Sequence, residues 1–253
     1  FLDSMISAAS FREALPYYSL PVFREKEHAY LEVHDLYHPL IENPVANSIT
    51  AGRGILVTGS NASGKSTFLK NIAINSILAQ TVYTCTANSY EAPFYKVMTS
   101  MALKDDLESG ESYYIVEIRS LKRILDESGR EGNILCIIDE VLRGTNTIER
   151  IGASSRILAK LIKDNVLSFA ATHDIELSYI LEDLYENYHF EEEVREHDVI
   201  FNYVLKKGRV TTRNAIRLLE MIGYDQEIIQ SATKAVQEFE SLGTWRKIEN
   251  AGE

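Results

Sequence analysis

The chain is short of several things. Its 253 residues include two cysteines, five prolines and one tryptophan. Two thiols, Cys85 and Cys136, cannot form a disulfide framework, so both read as structural. A reducing, cytoplasmic setting is the simpler expectation. No apolar run approaches the roughly 18 residues needed to cross a bilayer. The longest, Ile134–Ile138, ends in Asp139–Glu140 and reads as a buried strand. No signal peptide is visible. The first residue is Phe1 rather than methionine, so a piece of a longer protein is expected. Basic residues are scarce as well: 26 Lys and Arg stand against 37 Asp and Glu, for a net charge of −11. A face that neutralises nucleic-acid phosphates is ordinarily basic. The composition therefore gives no support for a large nucleic-acid surface on this chain. If the parent binds DNA, most of that contact lies elsewhere or in a local patch.

What is present fits an ordinary globular protein, with 45% hydrophobic and 25% charged residues. The length suits one large α/β domain with appendages, or two small domains. Residues 1–24 read as a helix through Leu2, Met5, Ile6 and Ala9, followed by a Pro16–Pro21 break. Short extended stretches and turns fill 28–50. Gly54–Thr58 reads as a buried strand, Gly59–Gly64 as a loop, and Ser66–Gln80 as a helix with Leu69, Ile72, Ala73 and Ile77 at helical spacing. Tyr113–Leu125 reads as a helix with Ile115, Ile118, Leu121 and Leu125 on one face, and Ser112 stands at its N-cap position. Ile134–Ile138 and Leu167–Ala171 read as further buried strands, Ile148–Lys163 and Ile175–Leu184 as helices. His189–Val194 and Asp198–Leu205 suggest a hairpin at the sheet edge. From Arg213 the pattern is helical, broken near Gly223–Tyr224. Strands alternating with helices predict a mostly parallel sheet covered on both faces.

Chemistry enters at Gly59-Ser60-Asn61-Ala62-Ser63-Gly64-Lys65-Ser66, which fits G-x-x-x-x-G-K-[ST]. The glycines allow a tight turn whose N–H groups face an anion at the head of a helix. Lys65 is expected to reach the β and γ phosphates of a nucleotide, and the Ser66 hydroxyl to hold Mg²⁺. A chance match arises roughly once in a hundred chains of this length. The strand before the loop and the amphipathic helix after it argue against chance.

The strand ending in Asp139–Glu140 supplies the next piece. An acid at such a strand end holds Mg²⁺ in phosphate-loop enzymes, which assigns Asp139 to the metal. Glu140 is then positioned to deprotonate the attacking water. Alone, a strand ending in solvated acids is commonplace. The upstream loop strengthens the pair, because the two strands are expected to be sheet neighbours. After the third apolar strand, His173 in Thr172-His173-Asp174 is a candidate hydrogen-bond donor to the γ-phosphate or the water, although a lone His there is more often structural. Asp105–Ser112 reads either as an acidic loop capping the helix at 113 or as a Ser–Gly signature loop. The order of phosphate loop, signature loop, acidic pair and His is that of ABC-type ATPases. There the signature loop of one copy caps the nucleotide held by another, which implies a two-fold dimer.

With these pieces assembled, the chain resembles the ATPase domain of the MutS DNA mismatch repair family. Thr58–Thr67 (TGSNASGKST) is similar to the family's T-G-P-N-M-G/S-G-K-S-T, Asp106–Glu117 to D-L-x-x-G-x-S-T-F-M-x-E, Asp139–Thr145 to D-E-x-G-R-G-T, and Ala171–His173 to A-T-H. His38–Pro39 and Val45–Asn47 resemble the segment before the family's ATPase core. Leu142–Thr147 and Thr212–Ile216 resemble signatures of a bacterial MutS-related branch. The likeness covers about residues 1–240. It implies a P-loop ATPase of ABC type that uses ATP and Mg²⁺, with Gly59 to Thr67 cradling the nucleotide. Catalysis would fall to Lys65, Glu140 and His173, the metal to Ser66 and Asp139, and the signature contact to Ser112 acting in trans. It also implies a homodimer, and DNA bound mostly by parts outside this chain. Residues 1–24 would end the lever helices, 25–212 form the ATPase domain, and 213–253 a helical dimerisation element. Three departures stand out. Pro44 aligns where the family stacks an aromatic on adenine. Val141–Leu142 replace small residues. The mismatch-reading Phe-x-Glu wedge is absent, since Phe11-Arg12-Glu13 and Phe23-Arg24-Glu25 lie in the lever region and match it by chance. A transporter motor would carry a fuller L-S-G-G-Q than Leu107–Glu111. A chromosome-structuring ATPase needs a long insertion that the stretch from Thr67 to Asn133 cannot hold. A nucleotide-gated scaffold without a DNA role is the third reading, favoured by the acidic charge.

Overall fold

A computed structural model describes residues 2–101, 113–194, 199–210 and 214–248. In chain order the elements are α1 (Leu2–Glu13), β1 (Val22–Phe23), β2 (Leu31–Leu36), β3 (Asn47–Ala51), β4 (Gly54–Thr58), α2 (Lys65–Val82), β5 (Ser89–Ala92) and β6 (Lys96–Ser100). There follow α3 (Tyr113–Glu127), β7 (Ile134–Asp139), α4 (Thr147–Lys160), β8 (Val166–Thr172), α5 (Ile175–Ile180) and β9 (Tyr185–His189). The last are β10 (Glu192–Val194), β11 (Val199–Phe201), β12 (Lys206–Lys207), α6 (Ala215–Ile222) and α7 (Gln226–Leu242). The described residues fall into two compact units, one within 1–191 and 203–210, the other within 192–202 and 211–253.

The first unit is built on a six-stranded sheet of order β12-β9-β4-β8-β7-β6. Every neighbouring pair is parallel except β12 with β9 at the edge. The strands β4, β7 and β8 are buried along their whole length, as strands covered on both faces must be. Their side chains divide by parity. Ile55, Val57, Leu135, Ile137, Leu167 and Phe169 face one core together with Phe68, Leu69 and Ile72 of α2. Leu56, Cys136, Ile138 and Ala170 face the other, filled by Leu121 and Ile124 of α3, Leu158 of α4 and Leu177 of α5. Burial pushes the thiols of Cys85 and Cys136 up to about 12, as expected of structural cysteines. Among the described residues no helix is long and apolar enough to cross a membrane.

The parallel sheet flanked by helices agrees with the sequence reading, but several details do not. The strand before the phosphate loop and the strand carrying the acidic pair are not neighbours, because β8 lies between them. A second sheet, β1-β5-β2-β3, covers the outer side of α2. This explains why α2 buries Asn75 and Ser76 while Ile77 is exposed. Asn75 Oδ1 accepts from the Thr86 amide at 2.7 Å, and the Ser76 and Tyr90 hydroxyls are 2.9 Å apart. On α3 the buried face is Glu117, Leu121 and Ile124, with Ser128 buried just past the helix end, whereas Ile115 and Ile118 are exposed. The helix after β8 ends at Ile180, short of Leu184. The expected edge hairpin exists as β10–β11, but it forms its own two-stranded sheet; the edge of the main sheet is β12, and β9 pairs in parallel with β4.

In the second unit, α6 and α7 are joined through Gly223, at φ 91°, and α7 is capped by Asp225, whose carboxylate accepts from the Glu227 amide at 2.8 Å. Phe239 stacks on Trp245 with ring centroids 4.3 Å apart.

Candidate functional site

Register decides what meets at the sheet's C-terminal edge. Thr58 pairs with Thr172, and Asp139 with Ala171. The residues that follow these strands, Gly59, Glu140 and His173, therefore emerge side by side. This is the edge at which ligands bind in open parallel sheets. A cleft of about 460 Å³ opens there, lined by Asn61 to Phe68, Glu140 and Phe190, and on the far side by His38, Ile41, Pro44, Val45 and Tyr203.

The loop from Gly59 to Gly64 wraps the head of α2. Gly64 is the helix N-cap at φ 110°, and Ala62 is also left-handed at φ 63°. Lys65 is buried; its ammonium donates to the Gly59 and Ser60 carbonyls at 2.8 and 2.7 Å. Ser66 sits half-buried in the first helical turn and Thr67 is exposed. Ser63 Oγ is buried and has no hydrogen-bond partner. Beneath the loop Phe190 packs edge-on against Phe68, ring centroids 5.9 Å apart.

Two glycine substitutions are expected to act in opposite directions. At Gly59 (φ +147°) a Cβ would sit 2.6 Å from the Phe190 carbonyl oxygen and 2.9 Å from Ser63 Oγ. Gly59→Ala should destabilise by about 1–3 kcal/mol. Gly152, in α4, has nothing within 4 Å of such a Cβ, so Gly152→Ala should stabilise by about 0.5–1 kcal/mol. Thermal denaturation of both variants checks the pair of signs.

The acidic pair is divided by depth. Asp139 is buried, and its Oδ1 has no protein partner. Glu140 is half-buried at φ 56°, with its amide donating to the Ala171 carbonyl at 3.0 Å. One carboxylate oxygen meets His173 Nε2, and the other meets Arg143 Nη1 at 2.9 Å. His173 is held there from behind. Arg150 of α4 clamps Asp174 through Nε–Oδ2 at 2.7 Å and Nη2–Oδ1 at 2.5 Å. The hydrogen bond and charge of Asp174 raise the Arg150 pKa. The turn after Glu140 continues through Leu142, left-handed at φ 57°, whose amide is accepted by Glu117 Oε1 of α3. Burial raises the Glu117 pKa against the pull of the Leu142 and Arg143 amides, and the charge of Glu140 adds to the rise.

Of the residues singled out in the sequence, Asn61–Thr67 and Glu140 line one cleft; Gly59 and Ser60 begin the same loop, His173 meets Glu140, and Asp139 is buried next to it in sequence. Ser112, with the rest of the signature loop, lies outside the described residues, as does Thr212. Three contributors went unread. Tyr203 lines the cleft, and the carbonyl of Tyr203 and the amide of Leu205 are bound by the Asn47 side chain at 3.0 and 2.7 Å. His38 and Ile41 make the far wall beside Pro44. Burial, then the charge of Lys70, lowers the His38 pKa. His38–Pro39 and Asn47 were visible as motif fragments; Tyr203 carried no local signal.

The donor set can be tested against Mg²⁺. The buried Asp139 Oδ1 without a protein partner and the half-buried Ser66 hydroxyl at the head of α2 are both oxygen donors, the type that a hard cation takes. Among the described residues no group of three or more His, Cys, Asp or Glu could hold a metal ion.

Residues 55–240 match the family described as MutS domain V. The DNA mismatch repair protein MutS of Bacillus pumilus is 31% identical over 238 residues, covering 88% of this chain and 27% of that protein. MutS of Thermus thermophilus is 28% identical over 220 residues, 85% of this chain and 26% of its own. MutS protein homolog 4 of Mus musculus is 34% identical over 208 residues, 73% of this chain and 21% of its own. The chain thus spans about a quarter of the length of the curated relatives it matches.

Proposed function

This chain belongs to the MutS family, matching its domain V, and from that premise we propose that it binds ATP with Mg²⁺ and hydrolyses it to ADP and phosphate. The observation that supports this reading is the meeting of Asn61–Thr67 and Glu140 on one cleft, with His173 in contact with Glu140 and Asp139, the residue before it, buried with an unpartnered Oδ1. The loop amides and Lys65 bind the phosphates. Ser66 and Asp139 would hold Mg²⁺, which would supply positive charge to offset that of the phosphates. Glu140 orients a water and accepts its proton as the water oxygen attacks the γ-phosphorus and the bond to the ADP oxygen breaks. His173, braced by the Arg150–Asp174 pair, donates a hydrogen bond to the γ-phosphate. Ser112 of a second copy completes the site in an ABC-type homodimer. The His38–Pro44 wall takes the base. In the parent protein this cycle would drive a DNA-binding clamp in mismatch repair or recombination control; the name of its bacterial relatives, DNA mismatch repair protein MutS, favours the first.

Phosphate release should depend on Mg²⁺ and stop when the metal is chelated with excess EDTA. No release and no ATP binding in millimolar Mg²⁺ would sink the ATPase reading. The net charge of −11 favours a second reading, a nucleotide-gated scaffold with no DNA role. Failure of the parent to bind matched, mismatched and branched duplexes alike would favour it.

A further inference from the structure

The turn that carries Glu140 is held in an unfavourable backbone conformation. Glu140 and Leu142 lie at φ 56° and 57°, the left-handed region that side chains other than those of Gly and Asn or Asp rarely adopt. Such a conformation persists only where neighbours over-determine it. Here they come from three elements. β8 accepts the Glu140 amide through the Ala171 carbonyl at 3.0 Å. On α4, Ser154 Oγ donates to the Val141 carbonyl at 3.4 Å. The third grip is α3, which contributes two side chains one turn apart: Glu117 accepts the Leu142 amide, and Tyr114 packs so closely on Gly144 that a Cβ there would meet its ring at 3.1 Å.

Glu117 is an unusual residue for this task. It is 6% exposed, and its Oε2 has no hydrogen-bond partner. A buried carboxylate with an orphaned oxygen costs stability. Ordinary packing would be better served by an apolar side chain. We infer that Glu117 is a positioning residue for Glu140: by holding the Leu142 amide it fixes the strained turn that aims the acid. Because α3 begins at Tyr113, directly after Ser112, the same helix joins the residue offered to a second copy's nucleotide to the acid serving its own. The inference rests on the ATPase reading.

The test uses Glu117→Gln, Glu117→Ala, Leu142→Gly and the Glu117→Ala/Leu142→Gly double variant of the full chain, read by kcat, KM for ATP and the thermal midpoint. Glu117→Ala should lower kcat by about 10- to 100-fold with KM within about threefold, since a misaimed group costs rate and not ground-state binding. Glu117→Gln retains a carbonyl acceptor and should recover most of that loss. Glycine adopts the left-handed conformation without penalty, so the double variant should regain about tenfold in kcat over Glu117→Ala. Equal kcat for Glu117→Ala and wild type, or purely additive losses in the double variant, would overturn the inference. If the wild-type chain released no phosphate, the ATPase reading would fall, and the thermal midpoints would still decide the grip itself. Leu142→Gly costing less in the Glu117→Ala background than alone supports it; equal costs refute it.

Discussion

Lys65→Ala is expected to lower ATP affinity by about a hundredfold or more, roughly 2.7 kcal/mol. Its ammonium is buried at the head of α2, where it holds the Gly59 and Ser60 carbonyls. A phosphate entering the loop would exchange those neutral acceptors for a charged one, and charge-assisted hydrogen bonds are about twice as strong as neutral ones. Alanine removes the cation and leaves both carbonyls to water. Titration with a fluorescent ATP analogue measures the loss. Wild-type affinity in the variant would mean that nucleotide does not bind at Gly59–Thr67. The thermal midpoint should be followed in parallel, because removing a buried side chain also exacts a stability cost.

Glu140→Gln is expected to separate binding from turnover. General-base catalysis contributes about 10²- to 10⁴-fold, so kcat should fall by at least about a hundredfold while KM for ATP stays within about threefold. Glutamine is nearly isosteric and can keep one contact to His173 or Arg143, so the fold should survive. With hydrolysis blocked, ATP should accumulate in the site and hold two copies together, and gel filtration in ATP and Mg²⁺ should show a dimer. Unchanged turnover would remove Glu140 from its role. An ATP-bound monomer would instead leave the acid in place and remove the shared-site arrangement.

Local signals carried far in this chain. The strands β4, β7 and β8 are apolar at every position because both faces are covered, so they read as buried strands without any tertiary knowledge. The phosphate loop read equally well, since its glycine spacing and the helix after it are encoded in consecutive residues. Elements that depend on a distant partner were harder. The strand β9, Tyr-Glu-Asn-Tyr-His, is polar in composition and reaches strand geometry only by pairing with β4. The short strands β5 and β6 lie in a stretch without strong periodicity, and they form because β2 and β7 offer them free edges. On α3 the apolar spacing puts Ile115 and Ile118 on one face with Leu121 and Leu125, yet the buried residues are Glu117, Leu121 and Ile124. Glu117 turns inward, where it accepts the amide of Leu142.

The sequence by itself determined the chemistry of the candidate site: which residues form the loop, which acids end the strand after it, and which histidine follows the next. Those choices are fixed by short-range requirements, a turn that only glycine can make, a helix head that attracts anions, and strand ends that release polar side chains into water. Tertiary structure alone decided how the parts meet. It inserted β8 between the two strands expected to be neighbours, set the register that brings Glu140 and His173 into contact, and strained the turn at Glu140 and Leu142 against α3. Sheet order and register arise from burying whole faces at once, a free energy summed over many distant residues, and no local run of sequence carries that sum.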